Sequence, residues 1–201
     1  DFAEFLERVS WEGATSFYLG EYAELIAQTF GKEGLLNEKS MSLYHVAVRK
    51  PVMTSFMGTE VYSNPAPSVG GTLIIFLLKL LEKAKLKDIN INQIIQAMAV
   101  TNLARKDVCT NPNKEYQIEE LLEDEIFNGN LVKFLSKCMK SDDLINPSRG
   151  ETTHVSVIDK DMNCASVTTT NGEGCGYILP GTGIMLNNML GEEDLNPLGF
   201  H

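Results

Sequence analysis

The sequence predicts an α+β fold in which a helix-rich first part is followed by a β-hairpin region. Apolar residues recur at helical spacing over most of positions 2–139, with one interruption rich in β-branched and aromatic residues at 44–62. A polar stretch with proline and glycine covers 140–151, and strand-like residues return after it. These observations separate a helical region from a strand region.

Two amphipathic helices are predicted within 2–30, broken near Gly13 and Gly20, because apolar residues there return every three or four positions. The second helix is expected to be ended by Gly31 and Gly34. Ser40 is a candidate N-cap for a short third helix.

Two strands, 44–48 and 52–62, are expected next, with a turn region at 50–51 between them. The segment 64–71 then combines prolines, which lack an N–H donor, with glycines, which favour unusual backbone angles. It is predicted to be a loop that leads into a helix starting near Thr72.

Three helical zones follow, at 73–85, 89–105 and 118–139, with Gly129 as a break within the last one. Acidic residues at 119–125 favour the start of that zone, because a helix N-terminus carries a partial positive charge. The first two zones are expected to be core helices.

Strand-like segments at 154–159 and 165–170 flank a turn at 160–163, and this pattern predicts a β-hairpin. The polar linker comes directly before it. We therefore divide the chain into a region 1–151 and a region 152–201.

The composition is typical of a soluble globular protein, with 43% hydrophobic and 22% charged residues. A net charge of −10 disfavours binding to nucleic acids or anionic membranes, since both would repel the chain. The longest strictly apolar run, 73–78, is far shorter than the roughly 20 residues that span a bilayer. We expect no membrane span, and the compartment, cytoplasmic or exported, stays open because a leader could precede Asp1.

The four cysteines, Cys109, Cys138, Cys164 and Cys175, lie singly along the chain. They form no C-x-x-C pair, and no histidine lies near them at metal-binding spacing. We expect neither a disulfide framework nor a metal site, and no cofactor.

The residues at the start of the hairpin are ambiguous on their own. Thr152-Thr153-His154 suits the beginning of a strand, and Gly172-Glu173-Gly174-Cys175-Gly176 either cradles an anion or lets the backbone turn. This glycine-rich segment lacks the Gly-Lys-Ser/Thr of a phosphate-binding loop. Local pattern alone leaves the function open.

Three motifs that follow the linker occur in a specific order. They are Thr152-Thr153-His154-x-Ser156-Val157-Ile158-Asp159-Lys160-Asp161-x-Asn163, Val167-Thr168-x-Thr170 and Pro180-Gly181-Thr182-Gly183-Ile184-Met185-Leu186-Asn187-Asn188. Together they resemble the start of the small subunit of γ-glutamyltranspeptidases. The earlier chain, with Gly13-Ala14-x-x-Phe17-Tyr18-x-Gly20 and Pro65-Ala66-Pro67-Ser68-Val69-Gly70-Gly71, resembles the second half of the large subunit of that family.

The resemblance implies an N-terminal-nucleophile hydrolase, whose fold is an αββα sandwich of two antiparallel sheets between helical layers. It implies that this chain holds the sandwich only in part, since the family's large subunit begins upstream and its small subunit continues past His201. Region 1–151 is then large-subunit-like and region 152–201 is the start of the small-subunit-like part. The two subunits are expected to associate after processing, and further oligomerisation is left open.

The resemblance also implies that Thr152 is the nucleophile, freed when the chain cuts its own backbone between Glu151 and Thr152. A threonine hydroxyl is a weak nucleophile and needs a base within hydrogen-bond reach. The freed α-amine, with a pKa of about 8, can be that base without another side chain. No Ser-His-Asp set is therefore required.

Other site residues are implied in the same way. Thr170 matches the family threonine that orients the nucleophile, although a threonine in a strand is also common. Asn171 lies near a substrate-contacting position, and Glu192 lies near the family's aspartate that holds the substrate α-amine. The chain is two residues shorter than the family pattern between Thr170 and Pro180, so the donor need not be glutathione. Cys175 is expected to be structural rather than a nucleophile.

The implied reaction is transfer of a γ-glutamyl group from glutathione or a related amide to Thr152, and then to water or an amine. Two alternatives stay open: a non-processing homologue that binds γ-glutamyl or amino-acid ligands, and a poly-γ-glutamate transpeptidase. The family's oxyanion-hole glycines, worth about 3 to 4 kcal/mol per donor, lie after His201. Residues 1–201 alone are therefore expected to be inactive.

Overall fold

The structure is a computed structural model in which helices precede a final β-hairpin. It describes residues 1–31, 36–86, 88–109, 118–138, 152–172 and 174–189. The elements are α1 (Phe2–Glu12), α2 (Thr15–Tyr18), α3 (Glu21–Phe30), α4 (Glu38–Ser42), β1 (Val52–Phe56), β2 (Thr59–Ser63), α5 (Val69–Lys83), α6 (Ile91–Cys109), a 3₁₀-helix (Ile118–Leu122), α7 (Asp124–Cys138), β3 (Thr153–Ile158) and β4 (Cys164–Thr169). This order confirms a mixed helix and strand chain with helices first.

The chain divides into two compact units. The first unit comprises Asp1–Val46 together with Pro147–His201, and the second unit comprises Ala47–Asn146. These units differ in kind from the predicted regions 1–151 and 152–201, which are divided by an expected cleavage site. Glu151, on one side of that site, lies outside the described residues. That boundary stays a prediction.

Glycines separate the first helices, as the sequence predicts, but α2 adds a short helix between the two expected ones. Gly13 ends α1 with φ 74°, a left-handed angle that glycine adopts without steric cost. Gly20 precedes α3. At α4, the Ser40 N–H donates to Asn37 Oδ1 at 3.0 Å and the Asn37 N–H donates to Ser40 Oγ at 2.9 Å. The N-cap is therefore Asn37, and Ser40 completes the capping box from the third helical position.

The first strands differ from the prediction. Residues 44–48 form no strand, and Val46 and Val48 are exposed with no paired strand beside them in the described part of the chain. The single strand predicted at 52–62 is a hairpin, because β1 and β2 pair antiparallel around Met57-Gly58. The φ values there, 50° and 78°, are both positive, as in a type I′ turn.

Helix α5 begins earlier than the predicted start near Thr72. Ser68 is its N-cap, and the helix proper starts at the next residue. A Cβ added to Gly71 would lie 2.1 Å from the backbone oxygen of Asn64, so only glycine lets the first turn approach the preceding chain this closely. The loop predicted at 64–71 is therefore wrong for its last three positions.

The predicted break at Gly129 is also wrong, because α7 continues through it. A Cβ at Gly129 would meet nothing within 4 Å, so no close contact explains this glycine. A single glycine costs a helix only about 1 kcal/mol and does not end it. The interruption lies instead at Glu123, between the 3₁₀-helix and α7.

Each unit has its own apolar core. In the second unit, α5, α6, the 3₁₀-helix and α7 pack around the almost fully buried Phe76, Leu80, Val100, Leu121 and Phe134. In the first unit, helices α3 and α4 supply Tyr22, Ala23, Ile26 and Met41, while the chain after β4 supplies Leu179 and Ile184. The chain after β4 thus contributes to the same core as helices α3 and α4.

Within the described ranges, no helix is both long and apolar enough to cross a membrane. The same residues contain no group of three or more His, Cys, Asp or Glu side chains that could hold a metal ion. The thiols of Cys138, Cys164 and Cys175 are free.

Candidate active site

Thr152 lies at the start of an antiparallel hairpin formed by β3 and β4. Thr153 pairs with Thr169, and the register continues to the pair Ile158 and Cys164, which confirms the predicted hairpin. Thr152 immediately precedes β3, and Thr170 immediately follows β4. Continuing the register by one pair sets these two residues opposite each other at the open end of the hairpin. Both are exposed.

The hairpin has one polar face and one mostly apolar face. Side chains alternate between the faces of a strand, so Thr152 shares its face with Thr170, and Thr153 lies on the other. On the Thr152 face the next cross-strand pairs are His154 with Thr168 and Ser156 with Ser166. On the Thr153 face they are Val155 with Val167 and Val157 with Ala165.

Four side chains on the Thr152 face form a connected set that we call the polar ladder: His154, Ser156, Ser166 and Thr168. The His154 Nδ1 atom lies 2.7 Å from Thr168 Oγ1. Its Nε2 atom lies 2.9 Å from Ser156 Oγ and 2.9 Å from Ser166 Oγ, and the two serine oxygens are 2.9 Å apart. The sequence analysis does not predict this set, although polar residues alternate with valine at His154-Val155-Ser156-Val157 and Ser166-Val167-Thr168.

The hydroxyl of Thr170 is held by the turn that follows β4. The Gly172 N–H donates to Thr170 Oγ1 at 3.0 Å. The backbone oxygen of Asn171 accepts from the N–H of Gly174 at 3.2 Å and from that of Asn188 at 3.4 Å. Thr170 and Asn171 therefore lie on a backbone that is tied to the chain up to Asn188.

The segment after this turn anchors the hairpin in the core of the first unit. The chain runs out and back, with hydrogen bonds from Cys175 N–H to the Leu186 oxygen at 2.9 Å and from Leu179 N–H to the Ile184 oxygen at 2.8 Å. At the reversal, the buried Thr182 hydroxyl donates to the Leu179 oxygen at 2.9 Å and accepts from the Ile184 N–H at 3.0 Å. The fully buried Leu179 fixes this segment against the helices.

The other end of the hairpin is closed by Asp159. Its carboxylate accepts the N–H of Asp161, the N–H of Asn163 and the side-chain amide of Asn163, each at 2.9 Å. The two Asn163 bonds are the main reason that the pKa of Asp159 lies below its usual value. This turn helps to set the register that brings Thr152 opposite Thr170.

The remaining predicted residues are described only in part. Glu151 and Glu192 lie outside the described residues, and so do the scissile peptide bond and the acidic group at 192–194. The exposed thiol of Cys175 donates to the carbonyl oxygen of Tyr177 at 3.4 Å. A carbonyl oxygen does not deprotonate a thiol, and the structural role of Cys175 stays a prediction.

A comparison with family models matches residues 1–197 to Gamma-glutamyltranspeptidase. The chain belongs to the gamma-glutamyltranspeptidase family. It is 29% identical over 212 residues to the glutathione hydrolase proenzyme of Escherichia coli, covering 97% of this chain and 36% of that protein. It is 30% identical over 208 residues to the capsule biosynthesis protein CapD proenzyme of Bacillus anthracis, covering 98% of this chain and 37% of that protein. The chain thus spans little more than a third of these gamma-glutamyltranspeptidase relatives.

Solved structures of the gamma-glutamyltranspeptidase family resemble the chain as well. The crystal structure of Helicobacter pylori gamma-glutamyltranspeptidase matches with a TM-score of 0.54 and 25% identity, covering 72% of this chain and 42% of that one. The enzyme from Pseudomonas nitroreducens matches in fold, with a TM-score of 0.51, 24% identity and coverage of 65% and 42%. The described strands form two separate two-stranded sheets, so the αββα sandwich stays a prediction.

Proposed function

We propose that the protein is a self-processing enzyme that transfers γ-glutamyl groups from glutathione or a related γ-glutamyl amide to water or to an amine. The observation that carries this proposal is the placement of Thr152 and Thr170 on one polar face, at matching ends of two paired strands. Membership of the gamma-glutamyltranspeptidase family and the proenzyme names of its relatives support it.

Processing begins when Thr152 Oγ attacks the carbonyl carbon of Glu151. The peptide C–N bond breaks, the hydroxyl proton ends on the departing Thr152 nitrogen, and an ester joins Glu151 to Thr152 Oγ. Water hydrolyses this ester and leaves a Glu151 carboxylate and a free Thr152 α-amine. The amine, with an ordinary pKa of about 8, is then a base within reach of the hydroxyl of the same residue.

Turnover repeats the same chemistry on a substrate. Thr152 Oγ attacks the γ-carbonyl carbon of the donor, and the leaving amine takes the proton that the Thr152 α-amine has accepted. Water or an acceptor amine then attacks the γ-glutamyl ester, releases the product and restores the hydroxyl. No metal or cofactor takes part in these steps.

The neighbouring residues have proposed roles in the same site. Thr170 hydrogen-bonds to the Thr152 hydroxyl and orients it, and its own oxygen is held by the Gly172 N–H. Asn171 contacts the donor, and the Glu192 carboxylate pairs with the donor's α-ammonium group. The pieces before and after the cut remain associated as large and small subunits.

The decisive experiment is the intact mass of the protein produced at its natural length. Two polypeptides that meet between Glu151 and Thr152 are expected. Thr152→Ala should leave one uncut chain and lower γ-glutamyl turnover by more than about 10³-fold, as the loss of a nucleophile does. Thr153→Val is the matched control, because it keeps the shape of a side chain on the opposite face, and it should still be cut.

A wild-type protein that stays uncut but binds γ-glutamyl ligands would instead be the non-processing homologue. Cutting that persists in Thr152→Ala would show that another residue is the nucleophile. Both outcomes contradict the proposal. Intact mass distinguishes them, because the first gives one uncut wild-type chain and the second gives two fragments from Thr152→Ala.

A polymeric donor is the second candidate function. The relative from Bacillus anthracis is named a capsule biosynthesis protein, and it is as similar to this chain as the glutathione hydrolase of Escherichia coli. Turnover of poly-γ-glutamate that exceeds turnover of glutathione at equal γ-glutamyl concentration would favour this candidate. Turnover of glutathione alone would exclude it.

A further inference from the structure

The polar ladder has no part in the chemical steps described above, although it shares a face with the two threonines that do. His154 and Thr168 form the cross-strand pair next to Thr152 and Thr170. Successive residues on one face of a strand are two positions apart, about 6.5 Å. The ladder therefore begins one pair away from the reacting hydroxyl.

Both ring nitrogens of His154 face hydroxyl groups. Nδ1 faces Thr168 on the opposite strand, while Nε2 faces Ser156 and Ser166. A neutral imidazole carries one donor and one acceptor, and a hydroxyl can donate or accept, so either tautomer satisfies these contacts. With both nitrogens engaged along the hairpin, the ring is placed to link the strands and not to accept the proton of Thr152.

The link matters because two strands alone hold their register weakly. An isolated two-stranded hairpin is marginally stable at best, and a slip of one residue moves every side chain to the other face. A slip would separate Thr152 from Thr170. The 2.7 Å contact between His154 and Thr168 crosses the strands directly beside that pair, whereas the serine contacts cross one pair further away.

We propose that His154, through its Nδ1 contact with Thr168, is a positioning residue that fixes Thr152 against Thr170. This inference rests on the proposed role of Thr152 as the nucleophile. In this proposal the polar ladder holds Thr152 and Thr170 in place. The contact of the ring with Thr168 contributes more to this positioning than its contacts with the two serines.

Three substitutions in the natural-length protein separate the two sides of the ring. His154→Asn keeps a polar atom near the position of Nδ1, and His154→Gln keeps one near that of Nε2. Thr168→Val removes the hydroxyl but keeps the branched shape. We expect His154→Gln and Thr168→Val to lower self-cleavage and kcat by about 10- to 100-fold, since a displacement of about 1 Å has effects of this size. KM should change little, and His154→Asn should retain most of the rate.

The double variant His154→Gln/Thr168→Val should be no slower than the slower single variant, because both changes remove the same contact. Thr169→Val is the matched control, since it alters a threonine of the same strand on the opposite face, and its rates should equal those of the wild type. Equal losses in His154→Asn and His154→Gln, additive losses in the double variant, or losses confined to KM would each overturn the proposal.

Hydrogen exchange of the β3 amides tests the same link without any catalytic readout. Exchange should accelerate in Thr168→Val and not in Thr169→Val, and equal exchange in the two would overturn the inference. A wild-type protein that neither cuts itself nor turns over γ-glutamyl donors contradicts the proposed function, while the exchange result still decides whether His154 and Thr168 hold the strands. Where Thr168→Val does not fold, the comparison of His154→Asn with His154→Gln decides alone.

Discussion

At the residue scale, two adjacent threonines are distinguished by the pleat of one strand. Thr152 and Thr153 have the same side chain and neighbouring positions, yet the register sets Thr152 on the face of Thr170 and Thr153 on the face of Val155. Sequence similarity identifies Thr152 as the candidate nucleophile. The structure adds a difference between the two faces. Beyond its pair with Thr169, the face of Thr153 continues with valines, whereas the face of Thr152 continues with the polar ladder.

The turn at Asp159 gives a prediction about pH. The pKa of Asp159 in the folded protein lies below its usual 3.8, mainly because Asn163 hydrogen-bonds to the ionised carboxylate. This contribution to hairpin stability is therefore complete above pH values near 3.8 and is lost as the pH falls through the lower, folded-state pKa. The protection of the β3 and β4 amides, meaning their exchange corrected for the intrinsic effect of pH on unprotected amides, should decrease as the pH is lowered through this window.

Asp159→Asn should remove that pH dependence, because the amide does not titrate. Asp161→Asn is the control, since the Asp161 side chain is paired only with the neighbouring exposed Lys160 among the contacts described for it. The control should keep the pH dependence of the wild type. If the exchange protection of β3 and β4 depended on pH in Asp159→Asn as it does in the wild type, the titration would belong to another group.

At the element scale, the sequence predicts the β3–β4 hairpin well but misplaces the strands before α5. Alternating polar and apolar residues around a polar turn identify β3 and β4. The turn at Met57-Gly58 is not evident from the sequence, because its first residue is a methionine with a φ of 50°. Val46 and Val48 have strand propensity without a paired strand in the described part of the chain. Strand propensity reflects packing against neighbours, so it cannot by itself locate a strand.

The first turn of α5 offers a matched pair of glycines. Gly71→Ala should lower the free energy of unfolding by about 1 to 3 kcal/mol, the usual cost of overpacking, because its Cβ would lie 2.1 Å from the Asn64 oxygen. Gly70→Ala should be neutral or raise stability by up to about 1 kcal/mol, since its Cβ meets nothing and alanine favours helix. Urea unfolding of both variants measures the difference, and equal effects would contradict the close approach seen at Gly71.

At the scale of the whole molecule, the first unit is built from both sides of the proposed cut. Its core combines Ile26 and Met41 from the early helices with Leu179 and Ile184 from the chain after β4. The sequence predicts helices for the early segments but no element for the chain after β4. It cannot reveal that they share a core, because contacts between segments so far apart in the chain leave no local pattern.

This shared core predicts that the two pieces stay together after processing. They should elute as one species without denaturant and separate in urea. Leu179→Asp should weaken the association by more than about 4 kcal/mol, since it places an unpaired charge at a fully buried position. Ile178→Asp is the control, because Ile178 is 59% exposed, and it should leave the association intact. Pieces that separate spontaneously on native gel filtration would contradict the shared core.

The discontinuous core also gives the proposed cut a consequence for refolding. Before cleavage, the covalent chain keeps the two halves of this core at a high effective concentration, so that their assembly is an intramolecular step. After cleavage, the same assembly requires the collision of two separate polypeptides, and its rate falls with dilution. A proenzyme that has processed itself thus keeps a native state that it could regain only slowly once unfolded, and its lifetime is governed by the rate of unfolding.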